Sequence, residues 1–429
     1  MTTSFAPDKL IDEANAVRQA SRLLAHQSTA IRNDALASMA RALRSQRDPI
    51  LEANESDVDK ARRNDLDEAF IDRLVLTPER IGTMADAIDE IASLDDPIGG
   101  DDEMWTRPNG LQVARRRIPL GVIGMIYESR PNVTSDAAAL CLKSGNGVLL
   151  KGGSDAFDSN RAIIDALRDG LRDSSLPDAA VDALGFVDTT DRQAVETMLG
   201  LDEQLDVIIP RGGKGLISFV HEHSRIPVIK HDEGVCHVVI DGSADADDAD
   251  DIILNAKVQR PGVCNAVETV LVLRDAVDDH LERILGRLDN AGVALHLDDT
   301  SAQVARDHGI ESFSEADDEA YGAEFLALEV AVRVVDDLGD AIDHIDRFGS
   351  RHTEAIVTND YKQSRQFVAE VDSSVVLVNA STRFSDGGQL GLGAEIGIST
   401  TRMHAYGPMG LRELTTTKFV VLGNGQVRT

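Results

Sequence analysis

From about residue 121 onward, the sequence alternates between short apolar runs and longer amphipathic stretches. Clear apolar runs are GVIGMIY at 121–127, NGVLLKGG at 146–153 and LDVIIPRGG at 205–213. Such runs are typical of strands that are buried on both faces. Between them lie stretches with helical spacing, such as FDSNRAIIDALRDGLRDS at 157–174. This alternation predicts a parallel sheet with helices on both faces.

Other regions of the chain follow different patterns. A second series of strands and helices, from VCHVVID at 235–241 to VVLVNA at 375–380, predicts a second α/β lobe. The first hundred residues repeat apolar positions at helical spacing and are predicted to be helical. The stretch 111–128 resembles a hairpin that leads into a buried strand. The glycine-rich stretch 382–421 ends in a strand-like run.

The net charge limits the classes of partner. Asp and Glu together number 74 against 43 Lys and Arg, which gives a formal net charge of −31. This excess disfavours nucleic acid as a partner, because binding phosphates needs clustered basic charge. The acids are spread along the whole chain, which we interpret as adaptation of the surface to a high-salt cytoplasm. An ordinary acidic cytosolic enzyme is the alternative.

The sequence gives no indication of a membrane or secretory location. No run approaches the ~18–20 uninterrupted apolar residues of a membrane helix, and the N-terminus lacks a basic–apolar signal pattern. We therefore expect a soluble, cytoplasmic protein with no membrane partner.

Cys264 is the first candidate for a catalytic side chain. It lies in QRPGVCNAVETVLV at 259–272, in a Pro–Gly turn between a predicted helix and a predicted strand. Loops at element ends commonly present catalytic groups, and a thiolate there would attack an acyl carbon. Taken by itself, the residue could equally be structural. Cys141, within a helix, and Cys236, at a strand start, are interpreted as packing residues.

Three long segments carry a family resemblance. They are PLGVIGMIYESRPNVTSDAAALCLKSGNGVLLKGGSDA at 119–156, the Cys264 turn, and VNASTRFSDGGQLGLGAEIGISTTRMHAYGPMGLRELTTTK at 378–418. Together they resemble the gamma-glutamyl phosphate reductase family of the aldehyde dehydrogenase superfamily, over nearly the whole chain. The resemblance implies an α/β fold, aldehyde dehydrogenase-like, with two Rossmann-like parallel-sheet lobes. It also implies a small β-hairpin and C-terminal oligomerisation element.

The same resemblance implies a reaction and partners. The expected enzyme reduces L-glutamyl 5-phosphate to L-glutamate 5-semialdehyde and phosphate with NADPH, in proline biosynthesis. Cys264 would be the catalytic thiol that forms a thioacyl-enzyme intermediate. A homo-oligomer is expected, and glutamate 5-kinase, which supplies the acyl phosphate, is considered as a further partner.

Several residues match the family's functional positions. Asn132, in SRPN, matches the amide that forms the oxyanion hole with the Cys264 backbone N–H. Lys151 matches the lysine that contacts the adenosine ribose of the cofactor. Ser154 stands where NAD-preferring members commonly carry a glutamate, which favours NADPH because a carboxylate would repel a 2′-phosphate.

The glycine turn and several charged residues complete the predicted site. Arg211, Gly212 and Gly213 correspond to the turn beside the cofactor's pyrophosphate. Glu324 matches the glutamate that holds the nicotinamide ribose, with a solvated surface acid as the alternative. Candidate cations for the substrate's carboxylate and phosphate, with structural salt bridging as the alternative, are Arg130, Arg260 and Arg383. Because His237 and His352 lack the spacing of a metal pair, no metal site is expected.

One departure from the superfamily bears on the reaction. Hydrolytic aldehyde dehydrogenases carry a glutamate base in a Glu-Leu-Gly-Gly context, whereas this chain reads HDEGVCHV and Glu233 does not clearly match. A reductase of acyl phosphates does not need this base, because phosphate leaves without activation of water. Two alternatives stay open: an acyl-CoA reductase, and a superfamily scaffold retained as a binding protein.

The resemblance also suggests domain boundaries. We expect a cofactor-binding domain over 1–107 and 123–235, and a catalytic domain over 236–370. Residues 108–122 and 384–429 would form the oligomerisation element and C-terminal segment.

The acidic surface gives the first testable prediction. Self-repulsion among the acids should destabilise the fold at low ionic strength, and salt screens it over a Debye length of about 10 Å at 0.1 M. Thermal melts from low to molar KCl should therefore show a rising midpoint. A midpoint that does not depend on KCl would remove the high-salt interpretation and leave the enzyme class untouched.

Overall fold

The computed structural model of the chain describes residues 5–128, 130–230 and 233–428. These residues form two compact units. The first comprises the described residues up to Lys230, with Leu392–Gly397 and the residues from Met409 onward. The second comprises the described residues from Glu233 to Gly391, with Ile398–Pro408.

Several helices begin at polar residues that cap them. Ser28, Asp67 and Thr77 each accept a hydrogen bond from the backbone N–H three residues later, which satisfies a donor that the helix itself leaves open. The helices are α1 (Pro7–Leu24), α2 (Thr29–Ser45), α3 (Arg47–Arg63), α4 (Glu68–Leu74), α5 (Pro78–Ser93), α6 (Asn132–Lys143), α7 (Phe157–Arg172), α8 (Asp178–Val181), α9 (Gln193–Leu199), α10 (Lys214–His223), α11 (Ala246–Val258), α12 (Glu282–Asn290), α13 (Asp299–Asp307), α14 (Asp318–Tyr321), α15 (Leu338–Phe348) and α16 (Tyr361–Glu370).

The strands are short, and most of them are apolar. They are β1 (Asp101–Thr106), β2 (Gln112–Pro119), β3 (Val122–Tyr127), β4 (Gly147–Gly152), β5 (Leu184–Phe186), β6 (Val207–Arg211), β7 (Cys236–Ile240), β8 (Val267–Leu273), β9 (Ala294–Leu297), β10 (Ser314–Glu315), β11 (Glu329–Val335), β12 (Thr353–Val357), β13 (Val375–Val378), β14 (Gly397–Ser399), β15 (Gly407–Met409) and β16 (Thr415–Leu422).

A parallel sheet lies at the centre of the first unit. Its order is β5-β4-β3-β6, and every residue of β3 and β4 is buried. Helix α1 packs on it through Ala14 and Val17, beside Val122 and Ile208 of the strands. The chain passes from β3 to β4 on one side, whereas β6 lies on the other side of β3. This reversal of direction is the point at which open α/β sheets bind ligands.

The second parallel sheet belongs to the second unit. Its order is β10-β9-β11-β8-β7-β12-β13, and β7 and β8 are buried throughout. Helices α11, α12 and α13 cover one face of this sheet through Ile253, Ile284 and Ala302. On the other face Ile345 of α15 and Phe367 of α16 pack against the strands. Both faces are thus covered, as the uninterrupted apolar runs require.

A separate antiparallel sheet has the order β1-β2-β16. The arginine run of β2 is neutralised at its surface, because Arg116 pairs with Asp101 and Arg117 pairs with Asp102. Trp105 and Phe419 form an edge-to-face pair with ring centroids 6.3 Å apart, although Phe419 remains largely exposed.

The predicted fold class is confirmed: two parallel sheets with helices on both faces, and a small antiparallel sheet that includes the C-terminal strand. The sequence analysis missed β1, which pairs with β2 across the suggested boundary at residue 107. The sequence patterns also did not indicate α15 and α16, whereas the helix expected after the glycine turn is α10. Among the described helices, none has the length and apolarity that crossing a bilayer requires.

Candidate active site

The carboxyl ends of β4, β3 and β6 meet at one edge of the first unit's sheet, because parallel strands share one direction. Lys151 lies near the end of β4, Glu128 directly follows β3, and the turn Arg211–Gly213 ends β6. The sheet therefore brings together the residues predicted to contact the cofactor's ribose and pyrophosphate. Glu128 is an addition that the sequence analysis did not identify.

The glycine turn already holds an anion. The Gly213 N–H donates to the Glu128 carboxylate at 2.9 Å, and Gly213 is the N-cap of α10. A Cβ on Gly212 would lie 2.6 Å from the Glu128 carboxyl carbon, so glycine is what allows this close approach. The positive end of α10 further favours negative charge here. The turn can therefore bind an anion, and in this structure it binds the Glu128 carboxylate.

Lys151 lies in the interior of the first unit and not on its surface. Its side chain is buried, and its Nζ donates to the Gly152 carbonyl at 2.7 Å. Desolvation lowers the pKa of Lys151 to about 8, and the negative charge of Asp191 offsets part of that effect. Ser154, by contrast, is exposed at the start of a short turn before α7. The two residues therefore offer a buried cation and an open hydroxyl.

Asn132 is the first residue of α6 and is exposed. Its Nδ2 donates to the Asp136 carboxylate at 2.9 Å, one helical turn further on. Burial raises the pKa of Asp136 to about 6, while the bond from Asn132 and the charge of Arg211 oppose the shift. Arg130, just before the helix, is exposed, and its backbone N–H donates to the Glu128 carbonyl at 2.9 Å.

In the second unit, Cys264 lies in the loop between α11 and β8, where the sequence predicts it. Of the three free cysteines, it alone is not fully buried. Burial raises the pKa of the Cys141 and Cys236 thiols, so these two favour the neutral form that is a poor nucleophile. Its partial exposure therefore makes Cys264 the strongest candidate nucleophile among the three cysteines.

Cys236 and Gly234 both contact the backbone carbonyl of Cys264. The Cys236 thiol donates to the Cys264 carbonyl at 3.2 Å. A Cβ on Gly234 would overlap the same carbonyl, so the preceding loop can pack this closely only with glycine. Cys236 is thus a buried packing residue, as predicted, and it contacts the backbone of the candidate nucleophile.

A buried ion pair flanks the loop. Lys257, near the end of α11, donates to Glu268, at the start of β8, at 2.6 Å, and both side chains are inaccessible to solvent. Burial raises the pKa of Glu268 to about 8 and lowers that of Lys257, whereas each charge favours the ionised form of the other. The sequence analysis missed this pair. The pair could have been predicted, because the sequence has one charged residue, Lys257, before the turn and another, Glu268, after it, each within an otherwise apolar run.

Glu324 lies in the same unit as Cys264. Glu324 accepts the Gly234 N–H at 2.9 Å, and burial raises its pKa, assisted by the charge of Glu233. It is therefore not the solvated surface acid of the alternative interpretation. Its carboxylate supports the loop that packs against Cys264.

Arg260 and Arg383 carry the positive charge of this unit's site. Burial and the repulsion of Arg260 lower the pKa of Arg383, while the negative charges of Asp386 and Cys264 act in the opposite direction. Arg383 donates from Nε to Gln259 at 2.8 Å, and Arg260 is exposed. Of the two guanidinium groups, that of Arg383 is therefore under the electrostatic influence of Cys264.

Comparisons with known proteins show the family of the chain. Residues 3–309 match the model of the aldehyde dehydrogenase family. A gamma-glutamyl phosphate reductase of Salinibacter ruber is 55% identical over 96% of this chain and 92% of its own length. One of Geobacter metallireducens is 53% identical over 96% of both chains.

Solved structures give the same result. The crystal structure of a gamma-glutamyl phosphate reductase from Thermotoga maritima superposes with a TM-score of 0.94 at 44% identity, covering 98% of this chain and 100% of that one. An acetylating aldehyde dehydrogenase from Geobacillus thermoglucosidasius has a TM-score of 0.69 at 15% identity, covering 99% of this chain and 98% of that one. At that identity, the likeness concerns the fold alone.

Proposed function

Because the chain belongs to the aldehyde dehydrogenase family, we propose that it reduces L-glutamyl 5-phosphate to L-glutamate 5-semialdehyde and phosphate, with NADPH, in proline biosynthesis. The observation that carries this proposal is similarity above 50% identity to reductases of this name over almost the entire chain. The half-buried thiol of Cys264, in a loop fixed on both sides, supports the covalent route.

Cys264 forms the covalent intermediate. Its thiolate attacks the acyl carbon, and phosphate departs with the electron pair of the C–O bond, which leaves a thioester on Cys264. The Asn132 side-chain amide and the Cys264 backbone N–H donate to the oxyanion, and such donors are worth roughly 3–4 kcal/mol each. The interactions of the Cys264 carbonyl with Cys236 and Gly234 support this role by fixing the loop backbone.

Charged side chains recognise the two acidic ends of the substrate. Arg383 is under the electrostatic influence of Cys264 and of Arg260, which suits the binding of a phosphate or carboxylate by the two guanidinium groups. Guanidinium groups bind both anions through paired N–H donors. Arg130 stays a candidate for the same task.

The residues of the first unit fit a dinucleotide cofactor. The Gly213 N–H accommodates an anion, as its bond to Glu128 demonstrates. Lys151 and Ser154 would hold the adenosine ribose and its 2′-phosphate, Arg211 and the two glycines of the turn the pyrophosphate, and Glu324 the nicotinamide ribose. When bound, NADPH supplies hydride to the thioester carbon. The protein's task is to orient that carbon and to return the Cys264 thiolate when the hemithioacetal collapses.

The carboxylates beside the Cys264 loop suit reduction rather than hydrolysis. A hydrolytic enzyme needs a carboxylate that is free to activate water against the thioester. Here Glu268 is sequestered with Lys257, and Glu324 is bound to the Gly234 N–H. The ion pair withdraws Glu268 from activating water, which supports a thioester that persists, while Glu324 keeps acceptor capacity for the nicotinamide ribose.

We also propose that the β1-β2-β16 sheet is the oligomerisation element of a homo-oligomer. Its large apolar side chains are exposed in the single chain, and an interface would cover them. They are Met104, Trp105, Phe419, Val421 and Leu422.

The deciding experiment runs the reaction backward. Purified protein, glutamate 5-semialdehyde and NADP⁺ should form NADPH only when inorganic phosphate is added. Replacing phosphate by coenzyme A tests the rival reaction. NADPH formation with coenzyme A and not with phosphate would overturn the proposal in favour of an acyl-CoA reductase.

Changing the nucleophile should abolish turnover. Cys264→Ser should lower kcat by at least about a hundredfold, because an alcohol at neutral pH is a far poorer nucleophile than a thiolate. Thermal melting and NADPH binding should stay near wild type. Cys141→Ser and Cys236→Ser are the matched controls and should keep substantial activity. Retention by Cys264→Ser of more than about a twentieth of the wild-type rate would exclude covalent catalysis by this thiol.

Cofactor preference should depend on Ser154. We expect NADPH to exceed NADH at least about tenfold in kcat/KM, or about 1.4 kcal/mol of transition-state binding. Ser154→Glu should reverse this preference because its carboxylate repels the 2′-phosphate, whereas Ser154→Ala should lose only the hydroxyl's hydrogen bond. Equal use of the two cofactors by the wild type, or unchanged NADPH use by Ser154→Glu, would place the recognition of the phosphate elsewhere.

The Glu128 carboxylate should compete with the cofactor's pyrophosphate for the Gly213 N–H. Glu128→Gln removes the charge and keeps an acceptor, so NADPH should bind about threefold to tenfold more tightly, up to about 1.4 kcal/mol. Glu222→Gln, at the opposite end of α10, is the control and should leave the Kd unchanged. Fluorescence titration measures both. Weaker or unchanged binding by Glu128→Gln would show that the phosphates do not use this turn.

A further inference from the structure

The Asn132 amide is held by one defined contact. Its Nδ2 donates to the Asp136 carboxylate at 2.9 Å, from the first residue of α6 to the residue one turn later. A primary amide carries two N–H donors in one plane. Once one N–H is bound to Asp136, the direction of the second N–H is fixed as well.

The chemical nature of the partner matters as much as its distance. An ionised carboxylate only accepts hydrogen bonds, so it selects the amide rotamer that turns the NH₂ group, and not the oxygen, toward Asp136. A hydroxyl or an amide in this place would accept either orientation. Burial raises the pKa of Asp136 to about 6, while the bond from Asn132 and the charge of Arg211 oppose the shift, so the carboxyl is mostly ionised at neutral pH.

The helix fixes the backbone of Asn132, so only the side-chain torsions of this residue can vary. The Ser135 hydroxyl donates to the Asn132 backbone carbonyl at 2.9 Å, and Thr134 and Ala137 of the same helix are buried. The backbone of Asn132 is thus fixed by the helix. The side-chain torsions are fixed by Asp136.

We propose that Asp136 is a positioning residue, which holds the Asn132 amide so that its second N–H is available as a hydrogen-bond donor to the acyl oxygen in the transition state. This inference rests on the proposed function, which assigns that donor role to Asn132. Asp136 itself does not touch the substrate, and its effect passes entirely through Asn132.

A merely structural role makes a different prediction. A side-chain pair four residues apart on a helix also stabilises the helix, so removing it would lower the melting temperature without a specific effect on turnover. The chain offers a matched control in α13, where Gln303 donates to the Asp307 carboxylate at 2.8 Å with the same spacing. Asp307→Ala removes an equivalent bond away from the proposed chemistry.

The test is a double-mutant cycle on kcat. Asp136→Ala should lower kcat about tenfold, with KM for the substrate and Kd for NADPH within about twofold of wild type. Asn132→Ala should lower kcat at least as much. In the Asn132→Ala background, Asp136→Ala should cause no further loss, because the group that it positions is already absent. Asp307→Ala should leave kcat unchanged.

A conservative variant keeps the test informative if Asp136→Ala folds poorly. Asp136→Asn retains an acceptor oxygen and should recover part of the loss, while its own NH₂ group allows the Asn132 amide to turn. Melting temperatures measured on every variant separate folding from turnover.

Three results would overturn the inference. Additive losses in the double variant would show that Asp136 acts independently of Asn132. Unchanged kcat in Asp136→Ala, together with a loss in Asn132→Ala, would refute the positioning role and leave the proposed function intact. Unchanged kcat in Asn132→Ala would instead refute the donor role in the proposed function, and the positioning role with it.

Discussion

The direction of the parallel strands decides where chemistry can be placed in each unit. In the first unit, the candidate residues follow the carboxyl ends of the strands: Lys151 on β4, Glu128 after β3, and the glycine turn after β6. In the second unit, Cys264 precedes β8 and Gly234 precedes β7, so the candidate nucleophile lies at the amino edge. The two candidate sites therefore lie at opposite ends of their strands. The glycine turn lies between the carboxyl end of β6 and the start of α10, whereas the Cys264 loop lies at the amino ends of β7 and β8.

The thiol loop depends on a costly interaction. Burying both charges of the Lys257–Glu268 pair carries a desolvation penalty that apolar residues of similar volume would avoid. The pair joins the last turn of α11 to the first residues of β8. Its geometry therefore constrains both ends of the loop that carries Cys264. A partner lost from such a pair leaves an uncompensated charge in the core, so the two residues act as a unit.

The sequence was sufficient for the fold and for the position of Cys264 in a loop between a helix and a strand, and insufficient for the contacts around the candidate residues. Uninterrupted apolar runs imply strands covered on both faces, and the Pro–Gly turn around Cys264 is visible as a break between a helix and a strand. The bond between Glu128 and Gly213 joins residues on different strands, so spacing along the chain does not reveal it. The Asn132–Asp136 spacing was readable, but it acquires meaning only once the helix is known to begin at Asn132.

The same contacts explain how a family known for oxidising aldehydes can accommodate a reductase. Oxidation by hydrolysis needs water activated at the thioester, whereas reduction of an acyl phosphate needs water kept inactive there. Beside the Cys264 loop, Glu268 is paired with Lys257 and Glu324 accepts the Gly234 N–H. The departure from the hydrolytic motif near Glu233 is thus accompanied by a local structure in which Glu324 and Glu268 support the loop that carries Cys264.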